Sequence, residues 1–452
     1  MGPREPRGAG QARNPQRLRS GSRIVEAVVI DFDRFMLPEQ VGEDHLLASY
    51  LAHSSTDNGM KLAASLASEQ TTGTWVEVPG GEAELLARHA GQVVAVQEVP
   101  SHETGARSGE RCFLIQIAYP WRNFGPQLPM LLTTVFGNIS MFGKIKLLDI
   151  QVPKALSEAL PGPRFGIEGI RELLGVPDRP LLNTMIKPSI GLTPEQGAEL
   201  LYRAAVGGTD IIKDDEVLAD TGVSPFLRRL SAYLRKLERA ESETGEKKLY
   251  AINVTDEPAR SLEKAEAAVQ SGARAVMVNY LPSGLGLVSS LARSPRVKVP
   301  ILGHLDFGGA LYASPFHGVS SALLYGKLPR LAGIDLLTIP TPYGKFDLSL
   351  EKYLGIVLGL RRPLHRIRRT FPIAGGGIRQ GDLPRLLQDL GPEFIIGAGG
   401  AIYAHPMGAT AGARAFRQSI EVLMRGDEFR ALDRYPELKA ALEKWGGALS
   451  DG

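Results

Sequence analysis

The sequence predicts an α/β chain in which a small N-terminal α/β domain, ferredoxin-like in style, precedes a C-terminal (β/α)8 TIM barrel. Three observations predict it. From Pro180 onward, eight short apolar runs alternate with helical stretches. Polar residues with chemical potential fall where those runs end: Lys187, Lys213, Asp215, Glu216, Asn253, Asn279 and His304. A barrel gathers the C-terminal ends of its strands on one face, where such residues meet. Glycine clusters follow the seventh and eighth runs.

Taken in order, residues 1–23 hold six arginines and one acid, Glu5, with several Gly and Pro. They lack the apolar core of a signal peptide and read as a disordered basic tail. Residues 24–159 form the N-terminal domain. Ile24–Phe32, Gln92–Gln97, Cys112–Tyr119 and Ile145–Gln151 read as strands of an antiparallel sheet, Asp44–Leu51 and Gly59–Glu69 as helices. Leu160-Pro-Gly-Pro163 is a natural linker. Within 160–452 the barrel strands are Leu181–Ile186, Ile211–Lys213, Leu249–Val254, Ala275–Asn279, Val299–His304, Asp335–Ile339, Phe371–Ala374 and Phe394–Ala398. Pro194–Val206, Phe226–Glu241, Ser261–Ser271 and Leu383–Leu390 are intervening helices. A doubly wound sheet is the alternative arrangement.

The 452 residues suit two such units. The 52 basic and 49 acidic residues nearly balance, which gives no case for nucleic-acid binding. Cys112 is the only cysteine, so no intrachain disulfide forms, in keeping with a reducing cytoplasm. No apolar run is long enough to span a membrane.

The sharpest chemical feature is Gly207-Gly-Thr-Asp-Ile-Ile-Lys-Asp-Asp-Glu216. Alone, Lys-Asp-Asp-Glu reads as a solvated charged turn. Here it closes an apolar strand. Burial disfavours the charge on an amine, and a neutral amine takes up CO₂ to form a carbamate, an anionic oxygen ligand. With Asp215 and Glu216, a carbamate on Lys213 makes an all-oxygen site suited to Mg²⁺. Such an ion polarises a carbonyl and stabilises an enediolate.

This segment resembles the metal-site motif of the RuBisCO large-chain family, in which the lysine is carbamylated. Met185-Ile-Lys-Pro-Ser-Ile-Gly191 is similar to that family's Thr-Ile-Lys-Pro-Lys-Leu-Gly. Thr71-Thr-Gly-Thr-Trp75, preceded by Glu69, resembles its Glu-x-x-Thr-Gly-Thr-Trp, and Phe136-Gly-Asn-Ile139 its Gly-Asn motif. Pro342-Tyr-Gly-Lys345 sits where the family has a mobile loop. Gly375-Gly376-Gly377 and Gly399-Gly400, followed by His405-Pro406, resemble its phosphate-gripping loops. The resemblance implies a Mg²⁺ site at Lys213, Asp215 and Glu216, with Lys187 as general acid/base and His304 as an active-site histidine. It implies a phosphate site that includes Thr74, Trp75, Lys345, Gly377, Gly399 and Gly400. It also implies a homodimer in which Glu69, Thr74, Trp75 and Asn138 of one subunit complete the partner's site.

Departures from the family pattern carry the finer expectation. Ser189 replaces a lysine, and Leu305, Thr338 and Gly375 replace an arginine, a histidine and a serine that grip a second phosphate. Burying a dianion without cations is prohibitive. The expected substrate is therefore a monophosphorylated keto sugar derivative, and the chain is placed among the RuBisCO-like (form IV) proteins. Its wording resembles the methionine-salvage enolase for 2,3-diketo-5-methylthiopentyl 1-phosphate. That enolase, however, carries a lysine, its proposed base, at the position of Asn138 and lacks the lysine kept here as Lys345. Both residues attend a nascent carboxylate in RuBisCO. The first expectation is thus decarboxylation, or a carboxyl-transferring hydrolysis, of a 3-oxo sugar-acid phosphate such as 3-oxo-isoapionate 4-phosphate. The enolase is the alternative; a true carboxylase and a non-catalytic sugar-phosphate-binding barrel rank lower.

Overall fold

A computed structural model describes residues 41–73, 83–104, 109–427, 429 and 432–446. The expected tail, the strand Ile24–Phe32, and both Thr74 and Trp75 lie outside the described residues.

The N-terminal part is a mixed sheet built from β1 (His45–Ser54), β2 (Gln92–Val99), β3 (Arg111–Pro120) and β4 (Lys144–Gln151). These pair antiparallel in the order β4-β1-β3-β2. The helix Gly59–Glu69 packs on the sheet through Ala63, Leu66 and Ala67.

The segment Asp44–Leu51, expected as a helix, is instead most of β1. This strand pairs on its two edges with β3 and β4, and Leu46, Ala48, Tyr50 and Ala52, which share one face, are all fully covered. The other face is partly covered, with Leu47 and His53 buried and Ser49 and Leu51 half-buried, so no clean alternation of apolar and polar residues marks the strand. Its Leu- and Ala-rich wording therefore imitates a helix, and sheet pairing overrides the local preference.

The barrel strands are β5 (Leu181–Met185), β6 (Ile211–Lys213), β7 (Leu249–Asn253), β8 (Ala275–Asn279), β9 (Ile301–His304), β11 (Leu336–Pro340), β12 (Phe371–Gly375) and β13 (Ile395–Ala398). They close as one parallel ring in that order, and all eight expected strands are present. Between β9 and β11, the short β10 (Gly318–Val319) leaves the barrel and joins β4 in parallel, which makes the N-terminal sheet five-stranded.

The barrel interior is packed rather than open. Leu181, Ile211, Leu249, Met277, Leu302, Leu336, Phe371, Ile373 and Ile395 form a single apolar cluster, closed at the base by Ile167 and Ile170 of the helix Gly166–Leu174. Only the C-terminal rim is left for polar side chains. Among the described residues, no helix is long and apolar enough to cross a membrane.

Candidate active site at the barrel mouth

β6 ends at Lys213, whose side chain is fully buried. Its Nζ donates to the Asp214 carbonyl and to Glu216 Oε2, both at 3.0 Å. Lys187, just beyond β5, donates to Asp215 Oδ2 at 2.6 Å and to Ser189 Oγ at 2.7 Å. Each acid of the expected metal set thus faces an amine. His304, at the end of β9, places Nε2 3.3 Å from Glu216 Oε2, while its Nδ1 lies 2.8 Å from Asp306 Oδ2. Burial pushes the Glu216 carboxyl up, but the Lys213 ammonium and His304 outweigh it and hold Glu216 at about 2.

Asp214, between the two acids, serves the scaffold. Its fully buried carboxylate accepts from Arg229 Nε at 3.1 Å, Tyr250 Oη at 2.6 Å and the Asn253 N–H at 3.0 Å. Lys213 and Asp215 bond to Glu216 and Lys187 beneath the mouth, while Asp214 reaches Arg229 on the helix Phe226–Thr244. Asn253 and Asn279 brace the acidic turn from β7 and β8. Asn279 Nδ2 donates to the Glu216 carbonyl at 2.9 Å, and Asn253 Nδ2 to the Asp215 carbonyl at 3.4 Å.

These residues open onto a cavity of about 460 Å³, within the usual range for a small-molecule site. One part is walled by Gly375, Gly376, Gly377, Gly399, Gly400 and Lys345. Space is tight at two of these glycines. A Cβ on Gly399 would lie 2.8 Å from Met185 Sδ, and one on Gly376 2.7 Å from the Phe346 ring. Gly376 and Gly377 also hold φ of +101° and +106°. The Lys345 N–H donates to the Gly376 carbonyl at 2.6 Å, which fixes that loop against the glycines. Elsewhere on the wall stand Leu305 and Thr338, neither of them charged.

Lys187, Glu216, His304, Lys345 and the five glycines therefore meet at one cavity, with Lys213 and Asp215 bonded directly beneath. Glu69 and Asn138 do not line it: Asn138 Nδ2 donates to Glu69 Oε1 at 3.0 Å within the N-terminal part. Sequence reasoning missed Asp306, Arg379 and Trp445. His304-Leu-Asp306 was a legible clue, because two residues along a strand end bring side chains to one side. Arg379 follows the glycine run directly, whereas Trp445 reaches the cavity from the last helix, Pro436–Trp445, and left no local signal.

Carboxylates, a buried amine and an adjacent histidine fit a divalent metal. Glu216, His304 and Asp306 place ligand atoms within 4.8 Å of one another, whereas Asp215 stands outside that group, its Oδ2 engaged by Lys187 at 2.6 Å.

Two family models match the chain: the ribulose bisphosphate carboxylase large chain N-terminal domain over residues 38–156, and its catalytic domain over residues 166–445. A ribulose bisphosphate carboxylase-like protein of Archaeoglobus fulgidus is 45% identical over 405 residues, covering 89% of this chain and 92% of that one. The 2,3-diketo-5-methylthiopentyl-1-phosphate enolase of Geobacillus kaustophilus is 39% identical over 405 residues, covering 89% and 98%. Among solved structures, the rubisco-like protein (MtnW) of Alicyclobacillus acidocaldarius aligns with a TM-score of 0.83 at 36% identity, covering 89% of this chain and 100% of that one. Matched along both of its parts, the chain belongs to the ribulose bisphosphate carboxylase large-chain family, among its RuBisCO-like members.

Proposed function

We propose that this protein enolises a monophosphorylated carbonyl compound with the help of Mg²⁺. One observation carries the reading: the cavity has glycine loops and Lys345 for one phosphate, whereas Leu305, Thr338 and Gly375 offer no cation for a second. The methionine-salvage enolase reaction, placed second on sequence grounds, is the better supported substrate assignment, because relatives so named align over nearly their whole length. It moves ahead of the decarboxylase reading.

Lys213 as its carbamate, Asp215 and Glu216 would hold the Mg²⁺, with His304 beside them. Bound there, the ion supplies Lewis-acid polarisation of the substrate carbonyl. Lys187 then acts as the base. Its Nζ lies 2.6 Å from Asp215 Oδ2, and the residue lines the cavity, which places the amine beside the substrate's reacting carbon. The free amine takes the proton from the carbon beside the carbonyl, and the electron pair moves into the carbonyl to give the enolate. The glycine N–H groups of the β12 and β13 loops hold the phosphate, together with Lys345. Glu69 and Asn138 lie away from this cavity, and the exposed Met141 and Phe142 flank them. Both features support a homodimer in which Glu69, Thr74, Trp75 and Asn138 serve the partner's cavity.

A second reading rests on Lys345. A cation on the cavity wall suits a departing carboxylate, as in decarboxylation of a 3-oxo sugar-acid phosphate. The deciding experiment follows deuterium uptake from D₂O into 2,3-diketo-5-methylthiopentyl 1-phosphate, with Mg²⁺ and bicarbonate. Uptake that EDTA abolishes is expected. No uptake, with CO₂ released from a 3-oxo sugar-acid phosphate, would move the assignment to the second reading; neither reaction would sink both.

A further inference from the structure

We infer that Arg379 is a phosphate-binding residue, which joins Lys345 in neutralising a substrate phosphate held at the β12 and β13 glycine loops. The inference deepens the proposed function and rests on its placing of the phosphate. The lysine and arginine side chains on the cavity wall are those of Lys187, Lys345 and Arg379. Lys187 is matched by Asp215 at 2.6 Å, and the acid on the wall, Glu216, is matched by Lys213 at 3.0 Å. Among the described residues, no carboxylate pairs with the side chain of Lys345 or of Arg379. Asp382, close by in sequence, accepts the Arg379 main-chain N–H at 2.8 Å instead. Among those residues the guanidinium makes one bond, from Nη1 to the Trp445 carbonyl at 3.2 Å, which leaves most of its five N–H donors open.

Both ends of Arg379 are placed by the fold. It stands two residues past Gly377, so its Cα lies within about 7 Å of that glycine. Its tip is at Trp445, which lines the same cavity. The Trp445 ring lies 6.2 Å from that of His405, and the neighbouring Lys444 donates to the Ala404 carbonyl. Ala404 and His405 follow directly on the single turn Gly400–Tyr403. The side chain thus runs from the β12 glycine loop to the segment that follows the β13 glycine loop. A phosphate monoester carries close to two negative charges at neutral pH, more than Lys345 offsets alone. A guanidinium is always charged, and its planar fork matches two phosphate oxygens at once. The open donors serve the phosphate while Nη1 keeps its bond to Trp445.

The test uses the full chain in EDTA, with inorganic phosphate as the probe. Calorimetry gives Kd for the wild type, Arg379→Gln and Arg379→Lys. The Gln variant is expected to bind phosphate about ten- to a hundredfold more weakly. The Lys variant should lose less, because it keeps the charge and gives up only the fork. A second arm treats the wild type with phenylglyoxal, an arginine reagent, and reads each site by peptide mass spectrometry. Phosphate should slow modification of the exposed Arg379 but not of the exposed Arg362, at the far end of the helix Leu350–Arg361. In deuterium uptake, the loss in Arg379→Gln should fall mainly on KM. An unchanged Kd in Arg379→Gln, or modification of Arg379 that phosphate does not slow, overturns the inference, and deuterium uptake by the wild type then leaves enolisation standing. A wild type that binds no phosphate overturns the placing of the phosphate and this inference with it. Arg379-dependent phosphate binding without deuterium uptake supports the inference and sinks the enolisation reading alone.

Discussion

Removing the Arg229 guanidinium should destabilise the protein by about 3 kcal/mol, because it leaves the Asp214 charge buried without its counter-ion. Both side chains are fully buried, and Arg229 Nε sits 3.1 Å from Asp214 Oδ2. Asp214 and nearby tyrosines raise the Arg229 pKa further, against the opposing effect of burial, so the guanidinium is charged at every accessible pH. Breaking such a pair typically costs about 3–5 kcal/mol. Arg229→Leu falls at the lower end, since Tyr250 Oη and the Asn253 N–H still donate to Asp214. The variant also removes the donor to the Ser224 carbonyl at 2.8 Å, which adds to the cost. Urea denaturation near neutral pH measures the change, followed by far-UV dichroism and tryptophan fluorescence. Adding Asp214→Asn removes the orphaned charge and should recover most of the loss, giving a large coupling energy in the double-mutant cycle. A loss under about 1 kcal/mol in Arg229→Leu, or no recovery in the double variant, would refute the assignment of Asp214 as a buried scaffold anion.

Lys213→Ala should abolish bicarbonate-dependent Mg²⁺ binding in calorimetry and lower deuterium uptake by several orders of magnitude, while circular dichroism shows the fold retained. Without Mg²⁺ or bicarbonate, where Lys213 is an ammonium, the same variant should flatten the acid limb of stability. Glu216 is held down to about 2, so the stability it contributes is present above its ordinary value of 4.5 and lost as pH falls toward 2. Denaturation at stepped pH reads this directly. Mixing Lys213→Ala with Asn138→Ala chains should restore part of the activity in heterodimers; absence of rescue in verified heterodimers counts against shared sites. Lys345→Met should leave enolisation of a diketone phosphate within about tenfold of wild type, weakening mainly KM through the phosphate. A far larger fall in the chemical step, together with CO₂ release by the wild type from a 3-oxo sugar-acid phosphate, would favour decarboxylation.

The sequence by itself determined the barrel. Each of its strands is short, apolar and set off by a helix, so local periodicity names it, and strand ends carry the reactive side chains whatever the exact register. It also marked Lys213, Asp215 and Glu216 as candidates, because residue type and position at a strand end are local properties. Only the tertiary structure decided the rest. Asp44–Leu51 became most of a strand because β3 and β4 hydrogen-bond to both of its edges, a fact absent from its own wording. Asp214 was committed to Arg229, Tyr250 and Asn253, from a helix and a strand well separated along the chain. Asp306 took up His304, and Trp445 reached the cavity from the far end of the sequence. Glu69 and Asn138 paired with each other across 69 residues of chain, a contact that neither motif announces. The physical reason is common to all of these. Periodicity and side-chain chemistry are set residue by residue, but the partner of a buried polar group is chosen only when the ring closes and distant segments are brought within hydrogen-bond reach.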